Sequence, residues 1–444
     1  MPRIYRLIYA REVRNWKRPD LARALRRLSK ERGSPLGTAP SGVLRWEEEG
    51  RRPDGLTQRL LAELFGIDPA LVAIHPWPHW LDFDPLQQCA DFPWTPRGAL
   101  DALKDTVGSS YMHRRSFIFS SAALTSSLLS WLTADPAAAG ELASGRRIGA
   151  SAVTAIERRV RELRQTDDED GGGTLLSQTT AVKDVVTDLL ENRSYSLAHE
   201  RRLFGAAADL ERMRAWAMFD VDGVCDDRVF QAALHAAHSA DDPALGAHIL
   251  TFWAAAAYNC DRPTDAETLA STALGAVRGR AAPRVEALVY ARRARARSHL
   301  KAPGCWSDLD QAERHLHQAD LSPGEEPEWA YWFDHSEFQG SRASSQLTMG
   351  RAQDAEATFA AAAKAFDGSA VRTHALYLAR QADAQLQQGH LEAACSTAHQ
   401  ALDLTDQISS HRTVAPLQDL ARAMYGHQHI AAVRDLRERI ATVG

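Results

Sequence analysis

Five times along the chain a small residue is followed by a small or apolar residue four positions on, and by a third three positions further. The sets are Ala233/Ala237/Ala240, Ala266/Ala270/Ala273, Ala312/Leu316/Ala319, Ala355/Phe359/Ala362 and Ala394/Ala398/Ala401. Steps of four and three put each set on one face of a helix, and a face of such small side chains lets a second helix approach closely. Successive sets begin 33, 46, 43 and 39 residues apart. Ahead of the last four sets lie further helical stretches, at 243–259, 284–301, 327–348 and 370–388, joined to them by CDRPTD, APGCWSD, MGRAQD and QGHLEA. A helix pair repeated at this period buries its apolar face only by stacking on its neighbours, so the expected body is an α-solenoid. Helices at 174–192 and 200–219 are expected to begin it, and 413–442, ending RDLRERI, to close it as a charged cap.

The rest of the composition agrees. Alanine is abundant throughout, proline and glycine gather between blocks, and alternating β-branched runs are nearly absent, which predicts an all-α chain. Its 444 residues are enough for two to four domains with ample core. Charge divides unevenly: residues 1–66 hold 15 Lys/Arg against 8 Asp/Glu, or +7, whereas the remainder holds 37 against 49, or −12. A small basic head on a large acidic body suits a polyanion-binding module carried by something that does not bind polyanions, although a solvated pair of charged helices would look the same by charge alone. The five cysteines (Cys89, Cys225, Cys260, Cys305, Cys395) are at least 35 positions apart and read as reduced, buried thiols of a cytoplasmic protein.

Within the head, Ile4 to Val13 reads as a basic amphipathic helix, and Pro19 opens a second that runs to about Ser29. After the loop KERGSPLGTAP comes SGVLRWEEEGRRP, in which Val43 and Trp46 would face a core and Ser41, Gly42 and Arg45 would face outward. LTQRLLAELFGI then supplies Leu60, Leu61, Leu64 and Phe65 to close that core. Short helix, outward Ser and Arg, and a following basic loop suit entry into a major groove beside phosphate-holding cations. The segment APSGVLRWEEEGRRP…LLAELFGI resembles the Cro/C1-type (XRE) helix-turn-helix in its divergent actinobacterial form, with a lengthened turn before the third helix. The resemblance implies that Val43 and Trp46 are core, that Ser41, Gly42 and Arg45 meet bases, and that Arg51 and Arg52 meet phosphates of double-stranded DNA. Two departures bear on it: the glutamine common at the start of the second helix is missing, and Glu47, Glu48 and Glu49 would repel phosphate unless they point away.

Between head and body, HPWPHWLDFDPLQQCADFPWTP breaks helices with prolines and carries tryptophans that need cover, so an ordered connector is expected to pack them onto a domain; ligand binding by these aromatics is the other reading. Then HRRSFIFSSAALTSSLLSWLTADPAAAG (113–140) imitates a twin-arginine export signal, but it follows more than a hundred residues of apparently folded sequence. Its uncharged run, Phe117 to Leu132, is 16 residues with five serines, shorter than the roughly 20 apolar residues of a membrane span. A buried helix is expected there, with Leu124, Leu128, Trp131 and Leu132 on one face and Arg114 and Arg115 at its start, serving as a domain coupler. TDDEDGGG at 166–173 is expected to be a solvated loop.

The phase of the repeated alanines resembles the second helix of tetratricopeptide repeats. Most units lack the Trp and Gly-x-x-Tyr of that family's first helix. Solenoids of this kind expose a concave groove lined by the first helix of each pair. Carrying the phase back places His248, Thr251, Tyr258 and Asn259 in the groove from one unit and Arg295, Ser298 and His299 from the next, with Arg292, Arg293 and Arg297 thickening the positive patch. Such a cluster would bind a peptide backbone and a terminal carboxylate, or it would only neutralise acidic neighbours on adjacent helices. Trp329, Trp332 and Phe333 stand at i, i+3, i+4 of another first helix and read as inter-repeat core rather than a ligand cage.

Signatures of nucleotide hydrolysis, serine hydrolysis, zinc proteolysis and dinucleotide binding are absent, so no enzyme and no cofactor are expected. Of the histidine pairs, His235/His238 alone shares a helical face, and no nearby Cys or carboxylate completes a metal set. The expected organisation is therefore a helix-turn-helix domain at 1–75, a linker with the buried apolar helix at 76–150 and tetratricopeptide-like repeats at 151–444. The expected function is a cytoplasmic transcriptional regulator, away from membranes, whose repeats bind a peptide or protein partner. A homodimer suits palindromic operators, although no coiled-coil seam is visible. The alternative is an interaction scaffold with a vestigial helix-turn-helix.

Overall fold

The computed structural model of the chain describes residues 7, 10, 11, 14, 16–48, 51–67, 69–74, 77, 78, 80, 81, 92–106, 149–170, 172–223, 225–322, 326–364, 371–405 and 411–443. Among these residues the regular structure is helical, with no strand. They fall into two compact units, one ending at Pro93 and the other beginning at Trp94. The expected apolar helix from Phe117 to Leu132, with Arg114 and Arg115, lies outside the described residues. Of the expected first helix, Leu7, Ala10 and Arg11 are described and are helical.

The first unit holds α1 (Arg18–Glu31), α2 (Pro40–Glu48), α3 (Gly55–Phe65) and the single turn α4 (Leu71–Ile74). Proline in the first turn of α1 costs no hydrogen bond there, and Asp20 turns back to accept from the Lys17 N–H at 2.9 Å. The eight-residue connection to α2 is pinned by Ser29, which is fully buried; its hydroxyl donates to Arg26 O at 2.9 Å and accepts from Leu36 N at 3.0 Å. Asp54 caps α3 by accepting from Thr57 N at 2.9 Å, and Gly66 ends it in the left-handed region at φ 73°. Leu21, Leu25, Val43, Leu61 and Phe65 close one core, which Trp80 joins, its indole donating to Gln58 Oε1 at 3.1 Å.

The second unit begins with α5 (Pro96–Asp105), which the sequence reading left within the linker; it packs against helices of this unit. There follow α6 (Ala150–Asp170), α7 (Gly172–Asn192), α8 (Leu197–Asp222), α9 (Asp227–Ser239), α10 (Pro243–Asn259), α11 (Pro263–Val277), α12 (Pro283–His299) and α13 (Gly304–Leu321). A 3-10 turn (Glu328–Trp332) leads to α14 (His335–Thr348), α15 (Ala352–Lys364), α16 (Val371–Gln387), α17 (Leu391–Thr405), α18 (His411–Ala423), a second 3-10 turn (Met424–His427) and α19 (Ala431–Val443). Two expectations are corrected. TDDEDGGG is not a loop, because α6 runs through Asp170 and α7 starts at Gly172; the glycines weaken helix propensity but do not forbid it. The helix drawn at 327–348 is broken at Phe333–Asp334, where Asp334 caps a new helix by accepting from Glu337 N at 2.9 Å.

Packing is extensive within the pairs α10/α11, α12/α13, α14/α15 and α16/α17, as it is between α8 and its neighbours α7 and α9. Fourteen of the fifteen residues in the five small-residue sets are buried; Ala240, at the end of α9, is the half-buried exception. Each pair turns on three residues, four between α12 and α13, of which the second is left-handed: Asp261 (φ 56°), Lys301 (56°), Gly350 (82°) and Gly389 (83°). In each, the third residue's N–H reaches back five positions, Arg262 to Ala257, Ala302 to Arg297, Arg351 to Gln346 and His390 to Gln385, at 2.8–3.0 Å. This recurring backbone bond satisfies carbonyls that a helix end otherwise orphans.

First helices form an inner row, α8, α10, α12, α14, α16 and α18, each packed on the next first helix wherever the packing is extensive. The row does not stay open: α18 returns to pack on α8. Asp220 of α8 accepts from Arg372 of α16 at 3.0 Å and lies 3.5 Å from the Arg412 guanidinium of α18, whose cation sits over the Trp216 ring. No described helix is long and apolar enough to cross a membrane.

Candidate functional site

Curling of the inner row encloses a cavity of about 480 Å³ lined from α6, α8, α10, α12, α14, α16, α18 and the first 3-10 turn. Equivalent positions supply the lining. Phe252, Arg292, Ser341 and Arg380 each stand nine residues before the left-handed residue of their turn, and all four face the cavity.

Seven arginines line it against three carboxylates, a formal excess of four positive charges. Four of the arginines are ion-paired, sharing three carboxylates. Arg164 and Arg212 both meet Asp209, at 2.8 and 2.7 Å, Arg372 meets Asp167 and Asp220, and Arg412 faces Asp220. Burial would raise the Asp209 carboxyl, but Arg212 and Arg164 outweigh it and hold the group below its ordinary value.

Arg292, Arg295 and Arg380 have no carboxylate within ion-pair distance among the described residues. Arg292 donates to the Tyr258 hydroxyl at 2.8 Å, with its Nε buried and unpartnered. Arg295, 4% exposed, donates to Ser298 Oγ and Thr348 Oγ1, both at 3.1 Å, and lies over the Tyr258 ring. Arg380 donates to Ser344 Oγ at 2.8 Å. Burial lowers the Arg295 and Arg380 guanidiniums from their ordinary value, with Arg292 acting in the same sense on Arg295 and Arg295 on Arg380. Burial would raise the Tyr258 hydroxyl, yet Arg292, Arg295 and Arg380 together carry it below its ordinary value. All three cations therefore act on one point.

Part of the lining is aromatic. His248 is 1% exposed, stacks on Trp329 at 4.0 Å between centroids and meets Phe252 edge-on at 5.0 Å. Burial, reinforced by Arg212, Arg164 and Arg292, pushes its pKa well down, so the ring is neutral at pH 7 and both ring nitrogens lack a hydrogen-bond partner among the described residues. Trp332, half-buried, stands edge-on to Phe252 at 5.5 Å. Trp329 and Trp332 thus line the cavity; Trp329, at 7% exposure, and Phe333, at 2%, are also buried as the inter-repeat core reading has them, and Trp332 is half-buried.

The groove residues expected from sequence divide in two. His248, Tyr258, Asn259, Arg292 and Arg295 face the cavity. Thr251 and Ser298 are fully buried and do not: Thr251 donates to His248 O at 2.7 Å, and Ser298 holds Arg295 from behind. His299 also stands behind, its Nε2 accepting from Arg295 at 3.2 Å; burial and then Arg295 depress it to about 3, which keeps it a neutral acceptor. Arg293 and Arg297 point away and bind Asp308 at 2.6–2.9 Å, neutralising an adjacent helix as the bland reading of this patch had it. Sequence reasoning missed Arg164, Arg212, Arg372, Arg380 and Arg412. For Arg380 the signal was present, because the phase that finds Arg292 also finds it. His235 and His238 are engaged by Trp94, which stacks on the first at 3.7 Å and meets the second edge-on at 5.5 Å.

In the first unit Ser41, Arg45, Arg51 and Arg52 are exposed, and Gly42 is half-buried with open space where a Cβ would stand. Arg45 Nε donates to Ser41 O at 3.3 Å. Val43 is fully buried and Trp46 packs on the core. Glu47 turns inward: it is fully buried and accepts from Arg11 Nε and Arg18 Nε, both at 2.6 Å. The side chains of Glu48 and Glu49 lie outside the described residues. Comparison with known proteins finds no protein-family model and no curated protein that the chain matches.

Proposed function

We propose that the chain is a DNA-binding transcriptional regulator and not an enzyme: α1 and α2 act as a helix-turn-helix on double-stranded DNA, and the tetratricopeptide-like array receives an effector, a peptide or a partner protein. The orientation of α2 carries this reading. A recognition helix needs one polar face free for base edges and cations beside it for phosphates. Ser41, Gly42 and Arg45 are free on α2, Arg51 and Arg52 follow it, and the carboxylate of Glu47, which would repel a phosphate, is withdrawn and neutralised by two arginines. The surplus of basic residues in 1–66 supports long-range attraction to the same partner. In a homodimer, effector binding in the array would change the spacing of two such heads.

The test is selection of bound sequences from genomic DNA fragments by the full chain at two salt concentrations, using wild type and Arg45→Ala. Enrichment of one sequence, with Arg45→Ala losing roughly 1–3 kcal/mol of discrimination at one base position, supports the reading. Binding that is only salt-labile and indifferent to Arg45 overturns it.

A further inference from the structure

We propose that the cavity of the second unit is a binding site for a small organic anion with a planar aromatic body, its charged group held by Arg292, Arg295 and Arg380 and its ring received by Trp332 and His248. This rests on the reading of the helical array as the effector-binding part, and replaces a peptide or protein there with a small molecule.

Three observations carry it. First, a volume of about 480 Å³ falls within the range of small-molecule sites, roughly 300–1,000 Å³. Second, the three arginines are supplied from two different helices, act on one tyrosine hydroxyl and have no carboxylate within ion-pair distance among the described residues, Glu337 acting on Arg292 and Arg380 only through space, whereas the other four arginines of the same cavity share Asp209, Asp167 and Asp220 as ion-pair partners. Clustered cations without an ion-paired carboxylate, Arg295 buried and Arg292 and Arg380 half-buried, are costly to the folded state, and an anion lowers that cost. Their planar forks suit the paired oxygens of a carboxylate or phosphate. Ser298, His299 and Ser344 hold Arg295 and Arg380 in place with neutral acceptors, which orients the cations without discharging them. Third, His248 lines the cavity with a neutral ring, 1% exposed, whose two nitrogens find no partner among the described residues. A neutral imidazole offers one donor and one acceptor, and with Trp332 beside it this wall suits an aromatic ring bearing a polar edge.

The test uses the full chain and needs no DNA, so its failure and failure of the DNA-binding reading are separate results. Thermal unfolding and tryptophan fluorescence are followed while titrating phenyl phosphate and indole-3-acetate, with inorganic phosphate as head alone, phenol as body alone and sodium chloride as the ionic-strength control. The proposal expects a saturable rise in Tm and a fluorescence change with at least one whole anion, at concentrations tenfold or more below those at which either half acts. Arg295→Gln and Arg380→Gln are expected to weaken that binding at least tenfold while the ligand-free Tm stays level or rises, because one of three mutually repelling cations has gone. Should either variant fail to fold, the wild-type titration still decides. Indifference of the wild type to both anions overturns the proposal, as does a preference for peptides of four or more residues over these probes. Undiminished binding in both variants also overturns it.

Discussion

Arg372 and Asp220 are hydrogen-bonded at 3.0 Å across 152 positions of sequence, and this contact ties α16 to α8. The contact stands beside the packing of α18 on α8, where the inner row curls around the cavity. Asp220 is fully buried, and Arg412 also faces it. Replacing it by asparagine removes the charge opposite two buried cations, so a loss of roughly 3–5 kcal/mol is expected in urea unfolding of the full chain. A loss below about 1 kcal/mol would show that apolar packing alone holds the ring closed.

Glu47 presents the same situation in the first unit, accepting from Arg11 and Arg18 at 2.6 Å with no exposure of its own. Glu47→Gln should lower the stability of that unit by about 3 kcal/mol or more, whereas Arg45→Ala, on the exposed face of the same helix, should change it by less than about 0.5 kcal/mol. Denaturant unfolding followed by hydrogen exchange in 18–65 distinguishes the two.

Gly340 faces Tyr377 so closely that a Cβ there would stand 1.9 Å from Cζ of the tyrosine ring. Gly340→Ala must displace a side chain whose hydroxyl donates to Glu337 Oε2 at 2.8 Å, and overpacking of this kind costs about 1–3 kcal/mol. Gly275, on α11, has nothing within 4 Å of its would-be Cβ, so Gly275→Ala should stabilise by up to about 1 kcal/mol through helix propensity. Opposite shifts of Tm in the two variants are the expected result.

Acid should weaken the second unit well before its carboxylates titrate. Burial depresses His235 to about 3, and burial followed by Arg295 does the same to His299, while His248 lies well below its ordinary value. An unfolded histidine titrates near 6.5, so between about pH 6.5 and 3 the unfolded chain holds more protons than the folded one. Stability is then complete above that window and falls on acidification, at about 1.4 kcal/mol per pH unit for each such histidine. Chemical denaturation at pH 7 and pH 5 reads the slope. His235→Phe keeps a ring against Trp94 but nothing to protonate, and should make the slope shallower.

Helices, turns and the close face of each pair were legible in the sequence because they depend on local periodicity. Small residues at steps of four and three give one bare helical face wherever they occur, and all but one of the fifteen proved buried. Proline marked one helix start, at Pro19, because the first turn's orphan N–H groups need no hydrogen there, whereas the cap that Asp334 gives a new helix went unread inside the stretch 327–348. The inward turn of Val43 and the outward turn of Arg45 follow from the same period. Which arginine is discharged and which is left bare did not follow, since Arg293 meets Asp308 while Arg292, its neighbour, meets only Tyr258. Nor did the sequence show that Trp329 and Trp332 line a cavity, or that Asp220 ties α16 and α18 to α8. Those outcomes depend on the curvature accumulated over six inner helices, a sum of small rotations at packed interfaces that no local pattern encodes.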